Sequence, residues 1–114
     1  MDLVVTTSVV GDTSVAAVSG EIDVYTAPTL REQLTELVDS GAGRIVVDMA
    51  QVGFCDSTGL GALVAALNYA REHNVTLSLA SAQERVLKVL RITGLDQVFT
   101  IHPDVDAATE PVAD

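Results

Sequence analysis

The sequence predicts an α/β domain in which a mixed sheet of about five strands packs against three to four helices. Three observations predict this class. The second half of the chain alternates strand and helix patterns, which requires parallel strands joined by right-handed crossovers. The first two strand patterns are separated by a two-residue turn and should pair antiparallel. Trp is absent and aromatic residues are only 4% of the chain, so aliphatic side chains must build the core.

The chain begins with a predicted hairpin. Residues 3–10 are rich in Val and Thr, which is typical of a strand. Gly11 and Asp12 suit a tight turn, and residues 14–19 form a second strand that Gly20 should end. A short polar connection at 21–25 leads to the first helix.

The first helix is predicted to begin near Pro28, which is tolerated in a first turn because its missing N–H would have no partner there. Thr26 or Thr29 can cap this helix, and Thr29 with Glu32 has the spacing of a capping box. An apolar stripe at helical spacing is formed by Leu30, Leu34, Leu37 and Val38, and two glycines, Gly41 and Gly43, should stop the helix.

The second half supplies three more strands and two more helices. Residues 44–49 contain three consecutive β-branched residues, which indicates a strand buried on both faces. Residues 50–55 are expected to form a loop. The remaining elements are predicted, in order, as a helix from Asp56 or Ser57 to about His73, a strand at 75–80, a helix at 83–92 and a strand at 98–101. We expect one domain at 1–110 and a flexible acidic tail at 111–114.

The charge of the chain limits its partners. The net charge is −10, from 16 acidic and 6 basic residues. A field of this sign repels nucleic acids and anionic membranes, so a protein with a basic face is the better candidate. The single cysteine excludes an intramolecular disulfide and a metal site made of several thiolates. No signal peptide and no membrane-spanning run is recognisable, so we expect a cytoplasmic protein without metal or cofactor.

The most informative segment is FCDSTGLG at residues 54–61. It follows a buried strand and opens a helix, where free backbone N–H groups and the positive end of the helix dipole lie together. Asp56 can cap this helix, and Ser57 then lies in the first turn with its hydroxyl towards water. Gly59 and Gly61 carry no side chain, which would let another protein approach closely.

A phosphate on Ser57 would add about −1.5 to −2 charges and three acceptor oxygens. The helix N-terminus tolerates this charge and favours it by about 0.3–1 kcal/mol. If Glu21 and Asp23 lie beside Asp56, the added charge would repel a partner that is fitted to a neutral hydroxyl. The residues alone also allow a plainer interpretation, in which the segment only caps a helix and the two loop acids are solvated.

Three other functions compete for this segment. A serine hydrolase would need a base, but the G-x-S-x-G elbow is absent and His73 lies about 24 Å along the helix from Ser57. The other histidine, His102, is expected at the surface. A phosphate-binding loop would need a Lys beside its Ser-Thr pair. Cys55 would be a redox sensor only if it were exposed, and a buried packing role is expected instead. We therefore predict no enzymatic activity.

Two motifs together resemble a known family. Residues 20–23, GEID, precede Thr26 and Ala27, and residues 45–49 precede the segment at 52–61. In this order and spacing they resemble the STAS domain, specifically the bacterial anti-sigma-factor antagonists, over about the whole chain. One departure is Cys55, where an apolar residue is more usual, and a free Cys packs as a small hydrophobe.

The resemblance implies the STAS fold and a set of site residues. Ser57 is implied as the phosphorylated serine, with Thr58 as the second candidate. The implied partner-binding residues are Glu21, Asp23, Asp56, Thr58, Gly59, Leu60 and Gly61.

The resemblance also implies a partner that is both an anti-sigma factor and a serine kinase using Mg-ATP. The unphosphorylated protein would bind this partner and free the sigma factor, the phosphorylated protein would release it, and a serine phosphatase would restore binding. The alternative is a STAS module that is never phosphorylated and acts as a scaffold or sensor in a larger regulatory assembly.

Overall fold

A five-stranded mixed sheet in the order β1-β2-β3-β4-β5 organises the computed structural model, which describes residues 3–110. The strands are β1 Val4–Val10, β2 Thr13–Ile22, β3 Arg44–Cys55, β4 Thr76–Ala80 and β5 Ile101–His102. The helices are α1 Ala27–Asp39, α2 Ser57–Glu72, α3 Glu84–Ile92 and α4 Val105–Thr109, with a 3₁₀ turn at Leu95–Gln97. The predicted class, element order and mixed pairing are confirmed. The predicted tail at 111–114 lies outside the described residues.

The first half of the central strand β3 is buried on both faces, as the apolar run at 44–49 predicted. Ile45 and Val47 belong to the main core, to which α1, α2 and α3 all contribute buried residues. Val46 points to the opposite face, because side chains alternate along a strand, and packs in a smaller cluster with Ala108 of α4. The first half of β3, ahead of the site described below, is therefore held from both sides.

The β1–β2 hairpin closes through the predicted two-residue turn. Val10 pairs with Thr13, so Gly11 and Asp12 are the loop. Gly11 has a φ of 62°, which corresponds to a type II′ turn with glycine at its first central position. The hairpin places β1 at the edge of the sheet, next to β2 alone among the strands.

Two predicted boundaries are wrong, and both errors concern the same pair of strands. Residues 50–55 are not a loop, because they continue β3 and pair with the end of β2 through Glu21–Phe54 and Ile22–Cys55. Gly20 does not end β2. It has a φ of 121° and lies next to a shift in register between Gly20 and Glu21. Bulges of this kind let both strands continue past a glycine while bending.

Two smaller predictions are also wrong. The capping box at Thr29 and Glu32 does not form, because α1 already begins at Ala27 with Thr26 at its N-cap position. The last strand is Ile101–His102 instead of 98–101, since the chain forms a 3₁₀ turn and then buries Phe99 in the core. In the described part of the chain, no helix is long and apolar enough to cross a membrane.

Candidate functional site

The ends of β2 and β3 bring the two predicted motifs together. Because these strands are parallel neighbours, their carboxyl ends lie side by side, with Glu21 opposite Phe54. The backbone N–H of Asp56 donates a hydrogen bond of 3.0 Å to the carbonyl of Ile22. The loop after β2 therefore lies beside the start of α2, which is the arrangement that the sequence required for Glu21 and Asp23 to approach Asp56.

Asp56 caps α2 as predicted. Its Oδ1 accepts a hydrogen bond of 2.8 Å from the backbone N–H of Gly59. The N–H groups of Ser57 and Thr58 form no hydrogen bond within residues 3–110, and the Ser57 hydroxyl is also unpaired there. Ser57 and Thr58 are both exposed. The first turn of α2 thus presents an accessible hydroxyl beside two free backbone donors.

The loop before α1 is held by Asp23 and Thr26. Oδ1 of Asp23 accepts hydrogen bonds from the N–H groups of Tyr25 (2.9 Å) and Thr26 (3.0 Å). The Thr26 hydroxyl donates to the Glu21 carbonyl (2.8 Å) and accepts from the N–H of Asp23 (2.9 Å). The hydrogen bond from the Thr26 N–H is the main cause that lowers the pKa of Asp23. The carboxylate of Asp23 is therefore charged and also orders its own loop.

A family model for the STAS domain matches residues 4–108. The chain belongs to the STAS domain family. The anti-sigma-B factor antagonist of Bacillus subtilis (strain 168) is 38% identical over 84 residues, which are 74% of this chain and 76% of that protein. The family and group that the sequence resembles are confirmed.

Solved structures agree on this STAS fold. An anti-sigma factor antagonist from Mycobacterium paratuberculosis superimposes with a TM-score of 0.81 at 29% identity, covering 94% of this chain and 91% of the other. The unphosphorylated form of the anti-sigma factor antagonist SpoIIAA superimposes with a TM-score of 0.75 at 20% identity, covering 92% and 93% of the two chains. The second likeness concerns the fold alone.

Two of the predicted partner-binding residues are buried in this STAS domain. Gly59 and Leu60 both face the protein interior. A Cβ atom at Gly59 would lie 2.6 Å from Cγ2 of Ile22, 2.9 Å from the Ile22 carbonyl oxygen and 2.9 Å from the Cys55 Sγ. Gly59 is therefore required for the close approach of α2 to β2, and the prediction that it opens space for a partner is wrong. Gly61 is exposed, with nothing within 4 Å of its Cβ position, so it does leave open surface.

Cys55 is a packing residue, as expected. It is buried beside Gly59, and burial, with a further contribution from the negative charge of Asp56, raises its thiol pKa to about 12. A thiol of this kind is unreactive near neutral pH. The redox-sensor hypothesis is therefore not supported.

The sequence reasoning missed three exposed apolar side chains at the site. Val24 is 55% exposed, Tyr25 is 87% exposed and Phe54 is 45% exposed. Val24 and Tyr25 lie in the loop after β2, and Phe54 pairs with Glu21 on the neighbouring strand. The available signal was two apolar residues within a short connection that had no helical or strand periodicity. We call Val24, Tyr25 and Phe54 the apolar rim.

A groove lies between α1 and α2, and Thr58, Gly61 and Ala65 line it on the α2 side. The charged residues that line it are Arg31, Glu32, Glu36 and Glu72. Three acidic residues and one basic residue give this groove a negative character, in line with the charge of the whole chain. Among residues 3–110, no group of three His, Cys, Asp or Glu side chains could hold a metal ion.

Proposed function

We propose that this STAS domain is a cytoplasmic, non-enzymatic anti-sigma-factor antagonist that is switched by phosphorylation of Ser57. The unphosphorylated form binds an anti-sigma factor with serine kinase activity, which frees the sigma factor. Phosphorylation abolishes binding, and a serine phosphatase restores it. The observation that carries this proposal is the hydroxyl of Ser57 in the first turn of α2, which is exposed, has no hydrogen-bond partner among residues 3–110, and lies beside the loop that contains Asp23.

The fold is suited to accept a phosphate at this position. The N–H groups of Ser57 and Thr58, which have no acceptor in the part of the chain that the structure describes, are available as donors to phosphate oxygens. The positive end of the α2 dipole adds a favourable contribution of about 0.3–1 kcal/mol. The modified domain should therefore stay folded, and the effect of the phosphate should fall on binding.

The surroundings of Ser57 make binding sensitive to this added charge. Glu21 and Asp23 belong to the segment that lies beside the start of α2, and Asp56 directly precedes Ser57, so acidic residues already surround this helix start. A partner that docks there must provide basic groups for these acids and an apolar pocket for the rim, of which Tyr25 is the most exposed member. Aromatic anchors of this kind commonly dominate the free energy of binding. Docking removes water from a phosphate in this contact, and the partner's basic groups are already paired with the three acids. The phosphate is therefore buried without a basic partner, which weakens the complex.

The proposed contact surface differs from the one that the family resemblance implied. Glu21, Asp23, Asp56, Thr58 and Gly61 remain in it, and the apolar rim is added. Gly59 and Leu60 are removed because both are buried. Thr58 is exposed and stays the second candidate for phosphorylation.

Phosphorylation by the cognate kinase tests the proposal directly. Incubation with the anti-sigma factor and Mg-ATP should add one phosphate to the wild-type protein, as measured by intact mass. Ser57→Ala should gain none, whereas the matched variant Thr58→Ala should still gain one. If Ser57→Ala gains a phosphate and Thr58→Ala does not, the phosphorylated residue is Thr58 and not Ser57.

Binding measurements test the switch itself. Ser57→Asp should fold normally and lose affinity for the anti-sigma factor by a factor on the order of 100. Ser40→Asp, at the opposite end of α1, makes the same exposed change and should bind as wild type does. If Ser57→Asp binds as tightly as wild type, the charge switch is wrong. Binding without any phosphorylation by the kinase would favour the alternative, a scaffold or sensory module in a larger assembly.

A further inference from the structure

The edge strand β1 lacks the features that normally prevent edge strands from pairing. It is seven residues long, it has no charged residue and no proline, and its register with β2 is continuous. Val4, Val9 and Val10 are 55%, 72% and 46% exposed. Natural proteins usually protect such an edge with Lys, Pro, a bulge or a covering loop.

The sequence of β1 is symmetric about its centre. Read outwards from Thr7, the strand VVTTSVV places Thr6 and Ser8, then Val5 and Val9, then Val4 and Val10 at equal distances. An antiparallel pair of two such strands with Thr7 at the centre would set each residue opposite one of the same kind. We propose that β1 pairs with β1 of a second copy of this chain, forming a continuous ten-stranded sheet about a two-fold axis at Thr7.

The backbone donors and acceptors agree with this centre. In a hairpin with a two-residue loop, the flanking pair Val10–Thr13 is hydrogen-bonded, and hydrogen-bonded pairs then recur at every second residue. The N–H and C=O groups of Val5, Thr7 and Val9 consequently point away from β2, towards the free edge. These residues would form three hydrogen-bonded pairs with the second copy, with about six hydrogen bonds in total.

The side chains agree as well. Val5, Thr7 and Val9 lie on the face of the main core, because Val5 and Thr7 pair with Val18 and Ala16, which belong to that core. Val9 is far more exposed than Val5, which already packs against the core. In the proposed pair Val9 lies opposite Val5 of the second copy, so the apolar surface continues across the two-fold axis.

The two copies would present their Ser57 sites at opposite ends of the sheet. The β2 strands of the two copies run in opposite directions when the β1 strands pair antiparallel, and Ser57 follows the carboxyl ends of β2 and β3. Both sites stay open, so one pair can bind two partners. This inference stands on β1 alone and does not depend on phosphorylation.

The pair should be weak and sensitive to salt. A single seven-residue strand contact lies at the small end of protein interfaces, and two chains of net charge −10 repel each other. Raising the ionic strength screens this repulsion and should strengthen the pair. Sedimentation equilibrium between about 10 µM and 1 mM covers the relevant affinities and should show the average mass rising towards twice that of the monomer.

Variants at Thr7 test whether any dimer forms through the edge of β1 or through another surface of the protein. Thr7→Pro removes an outward N–H and should keep the protein monomeric, since edge strands tolerate proline at such positions. Thr7→Val keeps the backbone donor and should still pair. If Thr7→Pro unfolds, as judged by circular dichroism, Thr7→Lys replaces it and should also give a monomer. A wild-type protein that is still a monomer at 1 mM would overturn the proposal, and the free edge of β1 would then be open to a strand of another protein. Dimers that neither Thr7→Pro nor Thr7→Lys weakens would also overturn it.

Cross-linking tests the register. In the proposed pair Thr6 lies opposite Ser8 of the second copy, in a non-hydrogen-bonded pair whose Cα atoms should be about 4.5 Å apart. This distance suits a disulfide. An equal mixture of Thr6→Cys and Ser8→Cys should therefore oxidise to a mixed dimer, and Thr6→Cys alone should cross-link at least about tenfold more slowly. Equal rates would rule out an axis at Thr7. The native Cys55 is buried and does not compete.

Discussion

Adding one methyl group at Gly59 should destabilise the protein, although alanine is the better helix former. The new Cβ would lie 2.6 Å from the Ile22 side chain and 2.9 Å from the Ile22 carbonyl oxygen. Ile22 is fully buried and its backbone is paired with β3, so neither atom can move easily. Overpacking of this kind costs about 1–3 kcal/mol. The better helix propensity of alanine offsets up to about 1 kcal/mol of this cost, so the net loss of stability should be at most about 2–3 kcal/mol.

Gly61→Ala is the matched control two residues further along the same helix. Nothing lies within 4 Å of its Cβ position, and the residue is exposed. Only the helix propensity should change, so the variant should gain about 0.5–1 kcal/mol. Urea denaturation followed by circular dichroism measures the free energy of unfolding of wild type and both variants. Because both substitutions share the gain in helix propensity, the stabilities of the two variants should differ by the overpacking cost, about 1–3 kcal/mol, with Gly59→Ala the less stable.

Equal stability of Gly59→Ala and Gly61→Ala would refute the reasoning. It would mean that α2 can move away from β2 without cost, so that Gly59 is not needed for their close approach. The same measurement bears on the site, because this approach holds the Ser57 hydroxyl beside the loop after β2. Gly59→Ala should consequently also weaken binding of the anti-sigma factor, whereas a loss for Gly61→Ala would reflect contact with the partner.

Three further measurements follow from the site. Asp56→Ala removes the α2 cap and should lower the free energy of unfolding in urea by about 1 kcal/mol, while Asp56→Asn should lose less. The pKa of Asp23 is lower in the folded than in the unfolded chain, so its stabilisation is present above the unfolded pKa and disappears as the pH falls through the folded pKa. Asp23→Asn should accordingly lose less stability than wild type as the pH falls below the ordinary Asp pKa of about 4, and an identical loss would contradict this. With a pKa of about 12, Cys55 should resist iodoacetamide at pH 8 until urea unfolds the chain, and rapid labelling of the folded protein would show that the thiol is accessible.

Most of the architecture could be predicted because it depends on local patterns. The helix at 57–72 follows from the Asp56 cap and its apolar stripe, and the strand at 44–49 follows from three consecutive β-branched residues. The two-residue turn at Gly11 specified the hairpin. The extension of β3 through Cys55 could not be predicted in the same way. Its pairing depends on the bulged end of β2, about thirty residues away in sequence, where Gly20 has the signature of a strand end.

The sequence by itself determined the fold class, the family and the hydroxyl at the start of α2, since each depends on residue types at short spacing. Only the tertiary structure decided which neighbours of Ser57 face outwards. It buried Gly59 and Leu60 and exposed Tyr25 and Phe54. The reason is physical: solvent exposure at a junction between two strands and a helix depends on how closely their backbones approach, and no segment encodes that distance alone.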